Sequence, residues 1–369
     1  MKVILLSIAV KIAKIFLNIV YGIMKLRKTK QQVLLLSRQS DGESLDFKLI
    51  REALEEDGIS IVKLYKMIHK GILSRIGYAL YMFKIMWNLS VSKVCIIDGY
   101  SIPISLLSHK KELKIIQMWH ASGATKKFGY QALDTKEGAK RSTAVIMQMH
   151  KNYDYILAPS EKTGEFFAEA FNSSKDKIRI IGLPRIEYIK KEDTDLKENI
   201  LLEYPNLRDK KIVLYVPTFR KNKYINAKDL IENLDKEKYG LIIRKHPLDD
   251  ENIPEEYTVS KKYMTNDLLK ISDYIVTDYS AIAYEALVTG KPILFYLYDI
   301  DDYKNVRGLN VDLEEEMKKE SFRNVKDLVS AIESGEYDYE ELERFRQKYV
   351  TVIKENNIEK FKELVKECL

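Results

Sequence analysis

From Gln31 onward the chain alternates short apolar runs with amphipathic segments of helical spacing. QQVLLLS, ISIVKL, KVCIID, KIIQMW, YDYILAP and IRIIG read as six strands, separated by helical stretches such as Glu43 to Glu56 and Glu161 to Phe171. That alternation predicts parallel sheets. The polar run IKKEDTDLKENI, Ile189 to Ile200, breaks the rhythm before KKIVLYVP, YGLIIRKHP, DYIVTD and KPILFY open a second series. The pattern therefore divides into an amphipathic helix over 1–28, a Rossmann-like domain over 29–190, a second one over 191–338, and a helical tail over 339–369, a candidate to cross back. With 369 residues, the chain is long enough to bury two sizeable cores.

The first thirty residues follow a different rule. MKVILLSIAVKIAKIFLNIVYGIMKLRKTK is apolar around most of its circumference, yet Ser7, Lys11, Lys14, Asn18, Gly22 and Lys25 recur every three or four residues as one polar stripe. Spanning a bilayer would hold two lysines and an asparagine near its centre, whereas a helix lying in the interface keeps them wet. An interfacial helix is the first expectation, a core-packing helix the second and a spanning helix the third. A signal peptide fits poorly, because Lys11 and Lys14 interrupt the apolar region and no small-residue cleavage site follows. A second basic amphipathic stretch, Lys63 to Trp87, sets Lys66, Lys70, Arg75 and Lys84 beside Ile68, Ile72, Ile76, Phe83 and Trp87. It suits the same headgroups or a solvated helix packed on the domain.

Composition narrows the partners. A net charge of +6 and 24 tyrosines favour an anionic surface, either membrane or nucleic acid. No RNP, KH or zinc-finger signature supports nucleic acid. Cys95 and Cys368 provide neither a disulfide framework nor a CxxC metal site. Neither GxGxxG nor GxxxxGK[ST] occurs, so the dinucleotide and P-loop fingerprints are absent.

Ligands of parallel sheets gather outside the carboxyl ends of the strands. His120 follows KIIQMW, Thr218 follows IVLYV, His246 follows GLIIRK, and Thr277, Asp278, Tyr279 and Ser280 follow DYIV. The helical run AIAYEALVTG, ending at Gly290, makes TDYS a strand-to-helix turn. Its backbone N–H groups suit a phosphate, although Asp278 or Ser280 as an ordinary N-cap reads equally well in isolation. Imidazoles at strand ends can move a proton or support a phosphate. His69, His109 and His150 are read as structural. Lys126, Lys127, Arg220, Lys221, Arg244 and Lys245 crowd the same loops and favour an anionic substrate. No clustered Asp, Glu or Cys completes a metal-ligand set, so no metal is expected.

WHASGATKKFG, PTFR, RKHP and TDYSAIAYEALVTGKPILFYLYDIDDYKNVRGL together resemble the CDP-glycerol glycerophosphotransferases, the teichoic acid primases and polymerases of bacterial cell walls. The resemblance runs in order from Gln117 to Leu309, while the first 110 residues match only in type. It implies a GT-B fold, two Rossmann-like domains with parallel sheets facing a central cleft. It also implies peripheral attachment to the cytoplasmic side of the cell membrane and transfer of glycerol phosphate from CDP-glycerol, a CDP-activated polyol, to a lipid-linked saccharide acceptor.

On that resemblance His120 is the general base. His246 is the second catalytic residue, holding the donor diphosphate; Thr218, Arg220, Arg244 and the Thr277–Ser280 turn hold the donor with it, and Arg307 of the RGL element is a further phosphate contact. Gly123, Lys126 and Lys127 fall to the acceptor. Ala281 stands where the family often has a second Ser, and Ala121 where Gly is common; the latter is typical of the primase branch. No cofactor is expected beyond the donor substrate, and no nucleic acid partner. Ribitol transfer and chain-extending polymerase activity are open within the family. Outside it stand a GT-B sugar transferase, in which Glu285 would meet the ribose of a UDP-sugar, and a non-enzymatic basic binder.

Overall fold

Each apolar run read as a strand forms one. The first series gives β1 (Lys30–Ser37), β2 (Ser60–Tyr65), β3 (Ser92–Ile97), β4 (Lys114–Gln117), β5 (Tyr155–Ala158) and β6 (Ile178–Ile180), in a sheet ordered β2-β1-β3-β4-β5-β6. The second gives β7 (Lys211–Tyr215), β8 (Tyr239–Ile243), β9 (Tyr274–Thr277), β10 (Ile293–Tyr296) and the two-residue β11 (Ser321–Phe322), ordered β11-β10-β9-β7-β8. All neighbouring pairs are parallel. Counted from its own first strand, each sheet begins with the same arrangement: second, first, third, fourth, fifth. The strand order therefore reverses between β1 and β3 in one sheet and between β7 and β9 in the other, the place where parallel sheets open a binding crevice.

The computed structural model describes residues 2–220 and 224–369. Its two compact units do not follow chain order: residues up to Ala121, Phe128–Arg185 and Lys354–Leu369 form unit 1, while Ser122–Lys127 and Ile186–Ile353 form unit 2. The predicted tail thus divides, with the helix Tyr339–Tyr349 in unit 2 and the helix Asn357–Cys368 in unit 1. Amphipathic spacing explains the latter placement. Phe361, Leu364 and Val365 join Phe47, Ile50 and Leu54 of α2 (Leu45–Glu56) over Val33, Val94 and Ile116 of the sheet. Burying each such side chain contributes about 1.5–3 kcal/mol. Ser44 caps α2, Asn356 caps the last helix, and Lys366 pairs with Asp57 at 2.6 Å. The unit 2 core is built from Val213, Tyr215, Leu241, Val276 and Leu294 under Leu328 and Ile332.

The N-terminal stripe forms one face of a continuous helix, α1 (Lys2–Met24); Lys11 is exposed to water, but from Lys14 onward protein groups meet the stripe. Asn18 accepts from the Ser108 N–H at 2.8 Å and donates to the Leu106 carbonyl at 3.1 Å. Lys14 donates to Gln148, Lys25 to the Ser108 carbonyl, and the fully buried Tyr21 meets His109. The stripe from Lys14 to Lys25 is thereby docked onto the rest of unit 1, and the apolar circumference points outward. Val3, Ile4, Ile8, Ile12, Ile15, Phe16, Ile19 and Ile23 are all at least half exposed. Neighbouring α3 (Ile72–Leu89) adds exposed Ile72, Leu73, Ile76, Leu80 and Trp87.

Candidate active site

Two clusters of polar groups form at the carboxyl ends of the strands, one in each unit. In unit 1 the chain leaves β4 through Gln117, whose buried amide donates to the Gly99 carbonyl and accepts from the Trp119 N–H, each at 2.9 Å. Trp119 adopts a left-handed backbone, φ 61°, and stacks on Phe128 with ring centroids 4.9 Å apart. A bulky residue held at positive φ is an over-determined turn, and it delivers His120 to the strand end. The His120 Nδ1 lies 2.8 Å from the Asp98 carbonyl. Since a carbonyl only accepts, the proton of the neutral ring resides on Nδ1 and the Nε2 lone pair is free to act as a base.

Burial lowers the His120 pKa to about 4; the Asp98 carbonyl and Asp46 oppose that shift, and Arg185 adds to it. The residue is nevertheless solvent-exposed, and water reaching the ring screens part of this desolvation. The imidazole is neutral at pH 7.

Asp98 itself was not anticipated as a site residue. It follows β3, is buried, and accepts the Ser37 hydroxyl at 2.7 Å through Oδ2, while Oδ1 is buried without a hydrogen-bond partner. Desolvation raises its pKa to about 6, with Asp46 adding to the rise; the Ser37 hydroxyl and backbone N–H groups pull the other way. The terminal Asp of KVCIID was the legible signal. Asp46, in the first turn of α2, grips Arg185 through its N–H at 2.9 Å and its Nε at 2.8 Å.

In unit 2 the TDYS turn is built differently from an N-cap. Asp278 is fully buried; its oxygens accept the Thr218 N–H at 2.9 and 3.0 Å, the Ser280 N–H at 3.1 Å and Arg220 Nη1 at 2.8 Å. It braces the end of β9 to the segment after β7. Thr277 adds a second brace by donating to the Val216 carbonyl. Tyr279 is buried, stacks on Tyr303 at 4.2 Å and reaches Asp299. Of the four residues only Ser280 keeps an accessible hydroxyl, in weak 3.5 Å contact with the Ile282 N–H. The helix that follows spans only Ile282–Ala286, so its dipole is small and the turn's donors are local groups.

Several assignments change. Arg220 does not offer a free cation: its side chain is 3% exposed and lies between Asp278 and Asp299. Burial alone would disfavour its charge, and the two carboxylates overcompensate, raising its pKa. Arg244 donates to the Ser260 and Tyr263 carbonyls, while desolvation lowers its pKa. Glu285 is buried and accepts from Ser122 at 2.9 Å, which withdraws it from a ribose. Gly123 lies in unit 2, where an added Cβ would fall 2.2 Å from the Tyr284 ring, so its role is close packing. Lys221 lies outside the described residues.

Ser122–Lys127 runs as an extra edge of unit 2. Lys126 bridges antiparallel to Leu309, the Lys127 N–H donates to Gly308, and Arg307 Nε donates to the Lys127 carbonyl. Lys126 is thereby placed with its ammonium 3.5 Å from Thr218 Oγ1. His246 is exposed, lies tilted against Phe219 with ring centroids 5.5 Å apart, and accepts the Leu248 N–H through Nδ1 at 3.2 Å. This tautomer leaves Nε2–H as a donor. Desolvation, followed by the charge of Lys126, lowers its pKa against the pull of Asp249. Thr218 and Ser280, tied together through Asp278, therefore set a buried and a half-buried hydroxyl beside the Lys126 cation and the neutral N–H of His246. That is a set for a multiply charged phosphoryl group. His69, His109 and His150 carry local bonds to Asp41, Tyr21 and Tyr153 respectively.

Two doubly wound parallel sheets, with polar clusters at their carboxyl ends, define a GT-B-like two-domain fold. In fold the chain is similar to the wall teichoic acid polymerase TagF, with a TM-score of 0.72 and 18% identity over 98% of this chain and 97% of that one. The chain belongs to the CDP-glycerol:poly(glycerophosphate) glycerophosphotransferase family, whose model matches residues 19–367. It is 31% identical to the teichoic acid ribitol-phosphate primase of Bacillus spizizenii over 87% of each chain. It is 32% identical to the teichoic acid glycerol-phosphate primase of Bacillus subtilis over 62% of each.

Proposed function

We propose that this protein transfers a polyol phosphate, glycerol phosphate or ribitol phosphate, from a CDP-activated donor to a lipid-linked saccharide acceptor, adding units as a primase does. The observation that carries the reading is the unit 2 cluster, where the ends of β7, β8 and β9 and the Ser122–Lys127 segment bring Thr218, His246, Ser280 and Lys126 together as donors of different kinds. Phosphoryl transfer needs alignment and charge stabilisation more than covalent chemistry. His120, neutral with Nε2 free, takes the acceptor hydroxyl's proton as that oxygen bonds to phosphorus; the bond from phosphorus to CMP breaks, and the unit 2 cations balance the charge leaving with CMP. No cofactor is assigned a step.

The membrane part of the proposal rests on α1. Its polar stripe is docked on unit 1 while its apolar face is bare. Crossing a bilayer would tear Asn18 and Tyr21 from Ser108 and His109, so the helix is proposed to lie in the interface of the cytoplasmic leaflet. The test offers CDP-glycerol, CDP-ribitol and a UDP-sugar with a lipid-linked saccharide, then follows nucleotide release and product mass. CMP release with acceptor growth by one polyol phosphate is expected. Sugar transfer from the UDP donor would overturn the assignment, and a long ladder of products would replace the primase reading with a polymerase.

A further inference from the structure

Unit 1 has a second polar concavity, at the other end of its sheet. A hollow of about 550 Å³ is lined by Lys14, Lys110, Lys111, Lys114, Lys151 and Lys177, a volume suited to a small ligand. Lys114 begins β4, Asp154 directly precedes β5 and Lys177 directly precedes β6, so the hollow lies at the amino ends of the strands, away from His120.

Its charge is poorly compensated. Lys14 and Lys151 share the Gln148 amide oxygen at 3.2 and 3.4 Å, Lys177 donates to the Tyr153 carbonyl, and Lys110 to the Arg27 carbonyl and the Thr29 hydroxyl. All these acceptors are neutral. Among the described residues the only carboxylate in the lining is Asp154, 3.5 Å from Lys114 and also accepting the Ile115 N–H. Desolvation lowers the pKa of His109, which also lines the hollow, so it adds no charge at neutral pH.

We propose that this hollow binds the phosphate headgroup of an anionic membrane lipid. The inference rests on the reading of α1 as an interfacial helix and goes beyond it by naming a lipid class and a site. Lys14 connects the two: it belongs to α1, whose other faces are bare and apolar, and it also lines the hollow. A lipid whose chains meet α1 brings its phosphate within reach of the lysines, and each lysine near an anionic surface strengthens attachment. The headgroup would hold unit 1 by its amino-end edge and leave the carboxyl-end chemistry clear.

The full chain is sedimented with vesicles of phosphatidylcholine alone and with vesicles containing phosphatidylglycerol. Wild type should prefer the anionic vesicles. The variant Lys111→Gln/Lys114→Gln/Lys151→Gln should bind them on the order of 100-fold less well, with phosphatidylcholine binding and melting temperature retained. The variant Lys48→Gln/Lys136→Gln/Lys140→Gln, with the same loss of charge on exposed positions of unit 1, should stay within about threefold of wild type because distant charges are screened. Equal losses in the two variants would overturn the site, as would release from anionic vesicles by millimolar glycerol phosphate, which would make the ligand a free phosphate. Wild type binding both vesicles equally would refute the hollow while leaving α1 as an anchor. Binding to neither would refute the anchor itself.

Discussion

The two strand-order reversals have the same topology and opposite electrostatics. Between β1 and β3 the buried Asp98 accepts the Ser37 hydroxyl at 2.7 Å, and no ion pair reaches it among the described residues. Between β7 and β9 the buried Asp278 accepts Thr218 and is paired with Arg220 at 2.8 Å, and Arg220 is held in turn by Asp299. A carboxylate thus ties strand ends together in both units. Unit 2 pairs its carboxylate with a buried guanidinium and leaves Ser280, Lys126 and His246 as the candidate phosphate donors. Unit 1 leaves its carboxylate uncompensated beside the residue that carries the candidate base. Burial without an ion-pair partner raises a carboxyl pKa.

The largest expected effect tests whether unit 1 handles the proton. His120→Ala should slow transfer about 10²- to 10⁴-fold with donor affinity and melting temperature close to wild type. Turnover near normal at saturating acceptor would place the base elsewhere. Next comes the ionic brace: Asp278→Asn should destabilise unit 2 by about 3–5 kcal/mol, because it leaves Arg220 buried with one partner removed. Denaturant unfolding measures this, and a loss below about 1 kcal/mol, the scale of an exposed pair, would show the brace to be dispensable.

The third prediction concerns pH. Asp98 has a folded-state pKa of about 6 against an ordinary 3.8, so the native state binds more protons than the unfolded chain between those values. Stability therefore falls as pH rises through that window, and the ionised group costs roughly 3 kcal/mol above it. Asp98→Asn removes this dependence. Its melting temperature relative to wild type should be highest at pH 8 and decline toward pH 4. A constant difference across that range would show that Asp98 titrates normally.

Much of this was legible in the chain, for physical reasons. Near-continuous apolar runs bounded by turn residues give buried parallel strands directly, so every predicted strand formed; β11 has two residues and left no pattern. The strand-end rule put His120, His246 and the TDYS turn after strands, and the structure places them after β4, β8 and β9. Which of those side chains face solvent was not legible, because that depends on pairing across the sheet. Asp278 and Arg220 are 58 positions apart, as are few partners a sequence pattern can connect. The same limit hid the transfer of Ser122–Lys127 into unit 2, which is decided by its pairing with Gly308 and Leu309. In α1 the polar stripe was read correctly and its surroundings were not: periodicity shows that a face differs, and Ser108 and His109 decide what it meets.

The smallest effect separates building from binding within one turn. Thr277 and Ser280 are both hydroxyl residues, three positions apart, yet Thr277 is buried and donates to Val216 at 2.8 Å, whereas Ser280 is half-buried and its nearest hydrogen-bond contact is a 3.5 Å approach to the Ile282 N–H. Removing a hydroxyl that donates inside the fold leaves the Val216 carbonyl unpaired and costs about 1 kcal/mol of stability. Removing one that donates to a bound phosphate leaves the fold intact and weakens a charge-assisted bond, about 10-fold in affinity. Thr277→Val should therefore lower the melting temperature and leave the dissociation constant for the CDP-polyol nearly unchanged, and Ser280→Ala should do the reverse. Calorimetric titration of the donor and thermal unfolding, run on both variants, resolve the pair. If Ser280→Ala instead loses stability at wild-type donor affinity, its hydroxyl is a helix cap, and unit 2 resembles unit 1 in using its turn hydroxyl as a brace.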